Sequence, residues 1–150
     1  MRLWRLTRRI HARKEELHRG AEAAGGRWNE RGVAVVYASP NPALVALEYL
    51  LHLHPPTPSD LVLLSLDVPD DVSSTVADIS SLGPDWQVDS GRTQRLGSEW
   101  ARSTRTLLLE VPSVIVPEAM NSVLNPAHPD WKRVRITIER PFTFDARLFK

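Results

Sequence analysis

The chain has 150 residues, no cysteine, and a formal net charge of +1 from 19 basic and 18 acidic side chains. That length fits a single domain over residues 1–150, large enough to bury about two-thirds of its unfolded surface without covalent staples. Lack of cysteine excludes disulfides, thiolate metal sites and a Cys nucleophile and fits a reducing cytoplasm, while the near-zero charge gives no bulk attraction for a polyanion.

In chain order, residues 2–6 read as a first strand. The opening MRLWRLTRRIHARKEE is charged throughout and lacks the apolar core of a signal peptide. Residues 7–32 are polar, with a helical stretch expected around His11–Arg19, and they end in GGRWNERG. The β-branched run VAVVY (33–37) predicts a strand. Asn41 suits a helix N-cap and Pro42 the first helical position, so a helix is expected through ALVALEYLLHL, stopping before Pro55 and Pro56. LVLLSLDV (61–68) predicts a buried strand, and Val72–Ile79 is ambiguous. A second helix is expected over Gln94–Arg102. LLLEV (107–111) and SVIVP (113–117) predict two strands almost end to end, and RVRITIE (133–139) alternates like a half-exposed strand. About six strands and two or three helices in irregular order predict an α+β fold, a compact mixed sheet core with a few helices. No apolar run approaches the ~20 residues of a membrane span.

Charge is uneven. The first 20 residues hold Arg2, Arg5, Arg8, Arg9, Arg13, Lys14 and Arg19 against Glu15 and Glu16. Such a tract is either a phosphate-binding arm or a solvated basic face. The second reading is preferred, with no direct nucleic-acid binding expected.

Glu48 is the only formally charged residue from Pro42 to Ser59, and Leu44, Val45, Leu47 and Leu51 flank it on the helix. A helix apolar almost all round predicts burial. A buried carboxylate then needs an arginine partner or a cleft to face. GGRWN (25–29) offers two glycines for a close backbone approach, the planar fork of Arg27 for a phosphate, and the indole of Trp28. The same five residues also fit a plain turn with Trp28 packed into the core. Tyr37 and Ser39 lie at a strand-to-helix junction, where anions bind readily, although Tyr37 could equally be a core aromatic. Ser113 has no histidine near it in sequence to suggest a triad. Asn125, in NPAHPDW, could donate to a ligand or cap its own turn. The five histidines lack metal-ligand spacing, so no metal is expected.

Taken together, LWRLTRR, GGRWNERGVAVVYAS, ALVALEYLLH, LEVPSVIVP, NPAHPDW and FDARLF resemble the RES domain family, in the family's order and over nearly the whole chain. The Arg, Glu and Ser of the family's name look like Arg27, Glu48 and Ser113. The resemblance implies an ADP-ribosyltransferase-like fold. It also implies a cytoplasmic toxin paired with an Xre-type antitoxin, acting on NAD as substrate with no cofactor. The expected reaction is hydrolysis or phosphorolysis of the nicotinamide–ribose bond; some relatives instead ADP-ribosylate a protein. Arg27, Tyr37 and Glu48 are the implied catalytic set. Arg5, Trp28, Ser39, Ser113 and Asn125 are implied in substrate binding.

Overall fold

A computed structural model describes residues 1–150 as seven strands, three α-helices and several 3₁₀ turns. Strands β1 (Arg2–Arg8), β3 (Leu61–Asp67) and β7 (Arg135–Pro141) form an antiparallel sheet in the order β1-β3-β7. Strands β2 (Val36–Ala38), β4 (Ser74–Val76), β5 (Leu108–Pro112) and β6 (Met120–Leu124) form a second sheet in the order β2-β6-β5-β4, with β4 parallel to β5. A bridge between Trp4 and Ser39, bonded in both directions at 2.8 and 3.0 Å, joins the sheets at a corner. The α+β expectation holds.

Three apolar layers follow from strand alternation. Leu3, Val62, Leu64 and Leu66 of the first sheet meet Val36, Ala38, Leu108 and Leu124 of the second. Helix α2 (Pro42–Leu50) and the phenylalanines of the C-terminal segment cover the outer face of the first sheet at Leu6, Leu61 and Leu63. Helix α3 (Ser90–Ser103) covers the far face of the second at Leu109, Val111 and Val123, together with Trp28 and Val35.

Several expectations need correction. The segment 113–117 is a turn, not a strand. Pro112 and Pro117 bound it, and the Ser113 hydroxyl accepts the Ile115 and Val116 amides at 3.2 and 3.1 Å, so they make no ladder. The pairing strand is β6, which follows it. No helix spans His11–Arg19; two 3₁₀ turns at Arg9–His11 and Lys14–Glu16 lead into the short α1 (Arg19–Ala24). α3 begins earlier than expected, because Asp89 caps the amides of Gly91 and Arg92. α2 starts as expected on Asn41, whose side chain accepts Leu44 N. It is buried only at Leu44 and Val45, because it lies on one sheet face with its other side toward the surface. Lys14 is not a solvated residue: its ammonium donates to Trp131 O and Val134 O at 2.7 and 2.6 Å and sits over the Trp131 ring. Arg2, Arg8, Arg13 and Arg19 pair with Asp67, Asp60, Glu16 and Glu16. No helix is long and apolar enough to cross a membrane.

Candidate active site

Register places the candidate residues on one face of the second sheet. Tyr37 faces Val123 across β2–β6, and Val111 faces Asn121 across β5–β6. Ser39 and Ser113 continue the same alternation two residues beyond Tyr37 and Val111. The ladder extends to Ser113, whose amide donates to Ala119 O at 2.9 Å.

Glu48 reaches this face from α2. Its Oε1 accepts from Ser113 Oγ at 2.6 Å and from Asn121 Nδ2 at 2.8 Å, and Oε2 has no protein hydrogen bond. Asn121 is itself held, because Ser39 Oγ donates to its Oδ1 at 2.6 Å. No cationic side chain pairs with Glu48, so the ion-pair alternative does not describe it. Neutral donors fix a half-buried carboxylate while leaving its charge uncancelled. Ser113 is 1 % exposed; its proton goes to Glu48 and its oxygen accepts two amides. It has no capacity left for attack on a substrate.

The Gly25–Glu30 turn presents Arg27. Gly25 adopts φ 75°, and a β-carbon at Gly26 would lie 2.8 Å from both the Tyr37 hydroxyl and Asn29 Oδ1. That close approach explains the glycine pair. Tyr37 Oη donates to Asn29 Oδ1 at 2.6 Å and accepts Trp28 N at 3.0 Å. Burial pushes the phenol well above its ordinary range, so it stays a neutral hydroxyl holding the turn. Asn29 is fully buried and donates to Ala21, Glu30 and Val33 carbonyls. Arg27 itself makes no side-chain hydrogen bond, and its Nη1 is buried without a partner.

Arg5 is a second arginine with no carboxylate. It donates to Tyr37 O and Leu17 O at 2.9 and 3.1 Å, and its Nε is likewise buried without a partner. Burial pulls its pKa down to about 10, so it keeps its charge at neutral pH. Arg27 and Arg5 together leave net positive charge beside Tyr37.

Two sequence candidates belong elsewhere. Trp28 is 3 % exposed and packs 6.2 Å from the Trp86 ring, so it offers no face to a ligand. Asn125 is 1 % exposed, donates to Ala101 O and accepts Ala127 N, so its amide caps its turn. Asn121 was missed. It lies in β6, where no strand was expected, so no local signal marked it. A separate surface hollow of about 350 Å³ is lined in part by Arg2, Asp67, Arg133 and Arg135, and there Arg2 and Arg133 pair with Asp67 and Asp71.

A family model described as RES domain matches residues 2–145. A Sphingobium sp. protein named Prs ADP-ribosylating toxin is 45% identical over 87% of this chain and 84% of its own length. A protein of Pseudomonas putida named Toxin Res is 37% identical over 98% of this chain and 99% of its own. Another Toxin Res, from Photorhabdus laumondii, is 37% identical over 99% and 97%. Among solved structures, a chain of the M. tuberculosis MbcT–MbcA toxin–antitoxin complex superposes with a TM-score of 0.63, covering 99% of this chain and 86% of that one at 16% identity, a likeness of fold.

Proposed function

The chain belongs to the RES domain family, and from that premise we propose that it is the toxin of a bacterial toxin–antitoxin pair, depleting NAD by cleaving its nicotinamide–ribose bond. The observation that carries this reading is the pair of uncancelled opposite charges: the orphan guanidinium of Arg27 and the Glu48 carboxylate bound only by neutral groups. A fold gains no stability from leaving either charge without a counter-ion. A ligand that is anionic at one end and becomes cationic at the other would complete both.

NAD has that character. Its pyrophosphate suits the planar fork of Arg27, with Arg5 adding positive potential behind it. When the ribose C1′–nicotinamide bond breaks, the electron pair goes to the pyridinium nitrogen, so nicotinamide leaves neutral and needs no acid. Positive charge develops on the ribose, as in other glycosyl transfers. Glu48 Oε2 would face that charge, held in place beforehand by Ser113 and Asn121. The ribosyl cation is then captured by water or phosphate, whose proton is released. Tyr37 holds the turn through its hydroxyl, and the part of its ring left uncovered would face the nicotinamide end.

A second reading has a specific observation behind it: the 45%-identical relative is named for ADP-ribosylating Prs. Cleavage would then be identical and a protein side chain would replace water. The partner in either case is an antitoxin of the Xre type, covering the site until released. The test is to incubate purified, antitoxin-free protein with labelled NAD, with and without phosphate, and again with lysate. Free ADP-ribose or its phosphate is expected. Label retained on protein would favour the second reading, and intact NAD in all arms would overturn both.

A further inference from the structure

Helix α3 grips the Gly25–Glu30 turn along a single stripe. Thr93 Oγ1 donates to Arg27 O at 2.6 Å, and Gln94 Nε2 donates to Gly26 O at 2.8 Å. Ser98 Oγ accepts Glu30 N at 2.9 Å. Between them, a β-carbon at Gly97 would collide with the Trp28 carbonyl, so only glycine permits this approach. Positions 93, 94, 97 and 98 share one face of a helix. Thr93 and Ser98 are fully buried.

On its other side the turn is fixed by Tyr37 and Asn29. The backbone of Arg27 and its neighbours is therefore clamped from two directions, while the Arg27 side chain touches no acceptor. Glycine within a helix is destabilising relative to alanine, and buried hydroxyls bring no apolar burial. Apolar residues would attach a helix to a loop at lower cost. What the polar stripe adds is a defined position for one backbone segment.

We propose that the Thr93–Gln94–Gly97–Ser98 stripe of α3 is a positioning element that fixes where the Arg27 guanidinium meets the phosphate oxygens of the substrate. The inference rests on the reading that Arg27 binds the pyrophosphate of NAD. An arginine reaching its ligand through a flexible stem gains directional bonds only if its root is fixed, and a displacement of about 1 Å can cost on the order of 10²-fold.

The test uses Thr93→Val, which keeps shape and removes the hydroxyl, Thr93→Ser, which restores it, and Gln94→Ala, with Arg27→Ala measured alongside. Each full-length variant is melted, assayed for KM and kcat with NAD, and titrated with ADP-ribose, which carries the pyrophosphate and no leaving group. Thr93→Val is expected to raise KM and the ADP-ribose Kd about tenfold, below the limit set by a full ångström of displacement, with kcat within about twofold. Thr93→Ser should recover most of the loss, and Gln94→Ala should shift KM in the same direction by less. A folded Thr93→Val with unaltered KM and Kd overturns the inference, as does a Thr93→Ser no better than Thr93→Val. Should Thr93→Val fail to fold, a folded Gln94→Ala with unaltered KM overturns it. Normal KM and Kd in Arg27→Ala sinks the pyrophosphate reading and the inference together. Impaired Arg27→Ala beside normal Thr93→Val sinks the inference alone.

Discussion

Ser113 donates its hydroxyl proton to Glu48 at 2.6 Å across 65 residues of sequence, and the same carboxylate oxygen takes a second hydrogen bond from Asn121 at 2.8 Å. One oxygen is thus fixed and the other left unbonded within the protein. This arrangement suits a carboxylate that must face a charge appearing only during reaction, because its orientation is set before the substrate arrives.

Ser113 serves this arrangement as a hydrogen-bonding residue, not as a nucleophile. Ser113→Ala should lower kcat by roughly tenfold, the scale of one lost charge-assisted hydrogen bond, and leave measurable turnover. It should also cost about 1–3 kcal/mol of stability, since the Ile115 and Val116 amides lose their acceptor. Turnover kinetics and a denaturant melt measure both, and intact-mass analysis of wild type during turnover should show no covalent adduct. An adduct on Ser113 would contradict the assignment.

Asn121 carries the other bond to Glu48. Asn121→Ala should lower kcat by roughly tenfold with little change in NAD binding. Asn121→Asp is the sharper variant, since it sets a second carboxylate within hydrogen-bonding distance of the first. The new carboxylate removes the donor that fixes Glu48 and repels its charge, so kcat should fall at least as far as in Asn121→Ala. Wild-type turnover in folded Asn121→Asp would show that this hydrogen bond does not orient the carboxylate for the reaction.

How much of this was legible in the sequence varied by residue. β3 and the Asn41–Pro42 start of α2 were, because a continuous apolar run and a capping pair are local signals. Glu48 was visible as the lone charge in an apolar helix. Its partner Asn121 was not: it lies 73 residues away, and the polar pair Asn121–Ser122 interrupts the apolar pattern of β6. The β-branched Val114–Val116 run then resembled a strand more than β6 did, until the Ser113 hydroxyl took up its amides. The α3 stripe was hidden for a similar reason, because Gly97 weakens a helical pattern and its purpose lies in Trp28 on another segment.

Lys14 is a separate case of long-range pairing. Arg13→Ala should change stability by no more than about 0.5 kcal/mol, as ordinary exposed sites do. Lys14→Ala should cost about 1–3 kcal/mol, because two carbonyls 117 and 120 residues away lose a charged donor and Trp131 loses its cation. Chemical denaturation of the two single variants separates them, and equal stabilities would contradict the structure.

Glu110 tests the electrostatics behind the site's sheet. It is half-buried with one hydrogen bond from Ser122, and burial raises its pKa above the usual carboxylate range. The folded state therefore holds its proton more tightly than the unfolded state. At neutral pH the ionised group weakens the fold, and the penalty disappears as pH falls through the folded pKa. Glu110→Gln should raise stability at pH 7 by no more than about 1 kcal/mol, given only partial burial. The gap to wild type should close as pH drops into the ordinary carboxylate range. Melting curves across that window check the sign; a variant less stable at pH 7 would reverse it.

The most direct measurement concerns Glu48. Glu48→Gln keeps the side chain's shape and removes its charge. It should lower kcat for NAD cleavage by roughly 10²–10³-fold, the scale of losing one preorganised electrostatic group, with KM for NAD and the melting temperature close to wild type. Turnover, NAD titration and a melt on the same preparation decide it. Normal turnover in folded Glu48→Gln, or inactivity accompanied by unfolding, would show that Glu48 is a structural carboxylate and would contradict the proposed chemistry.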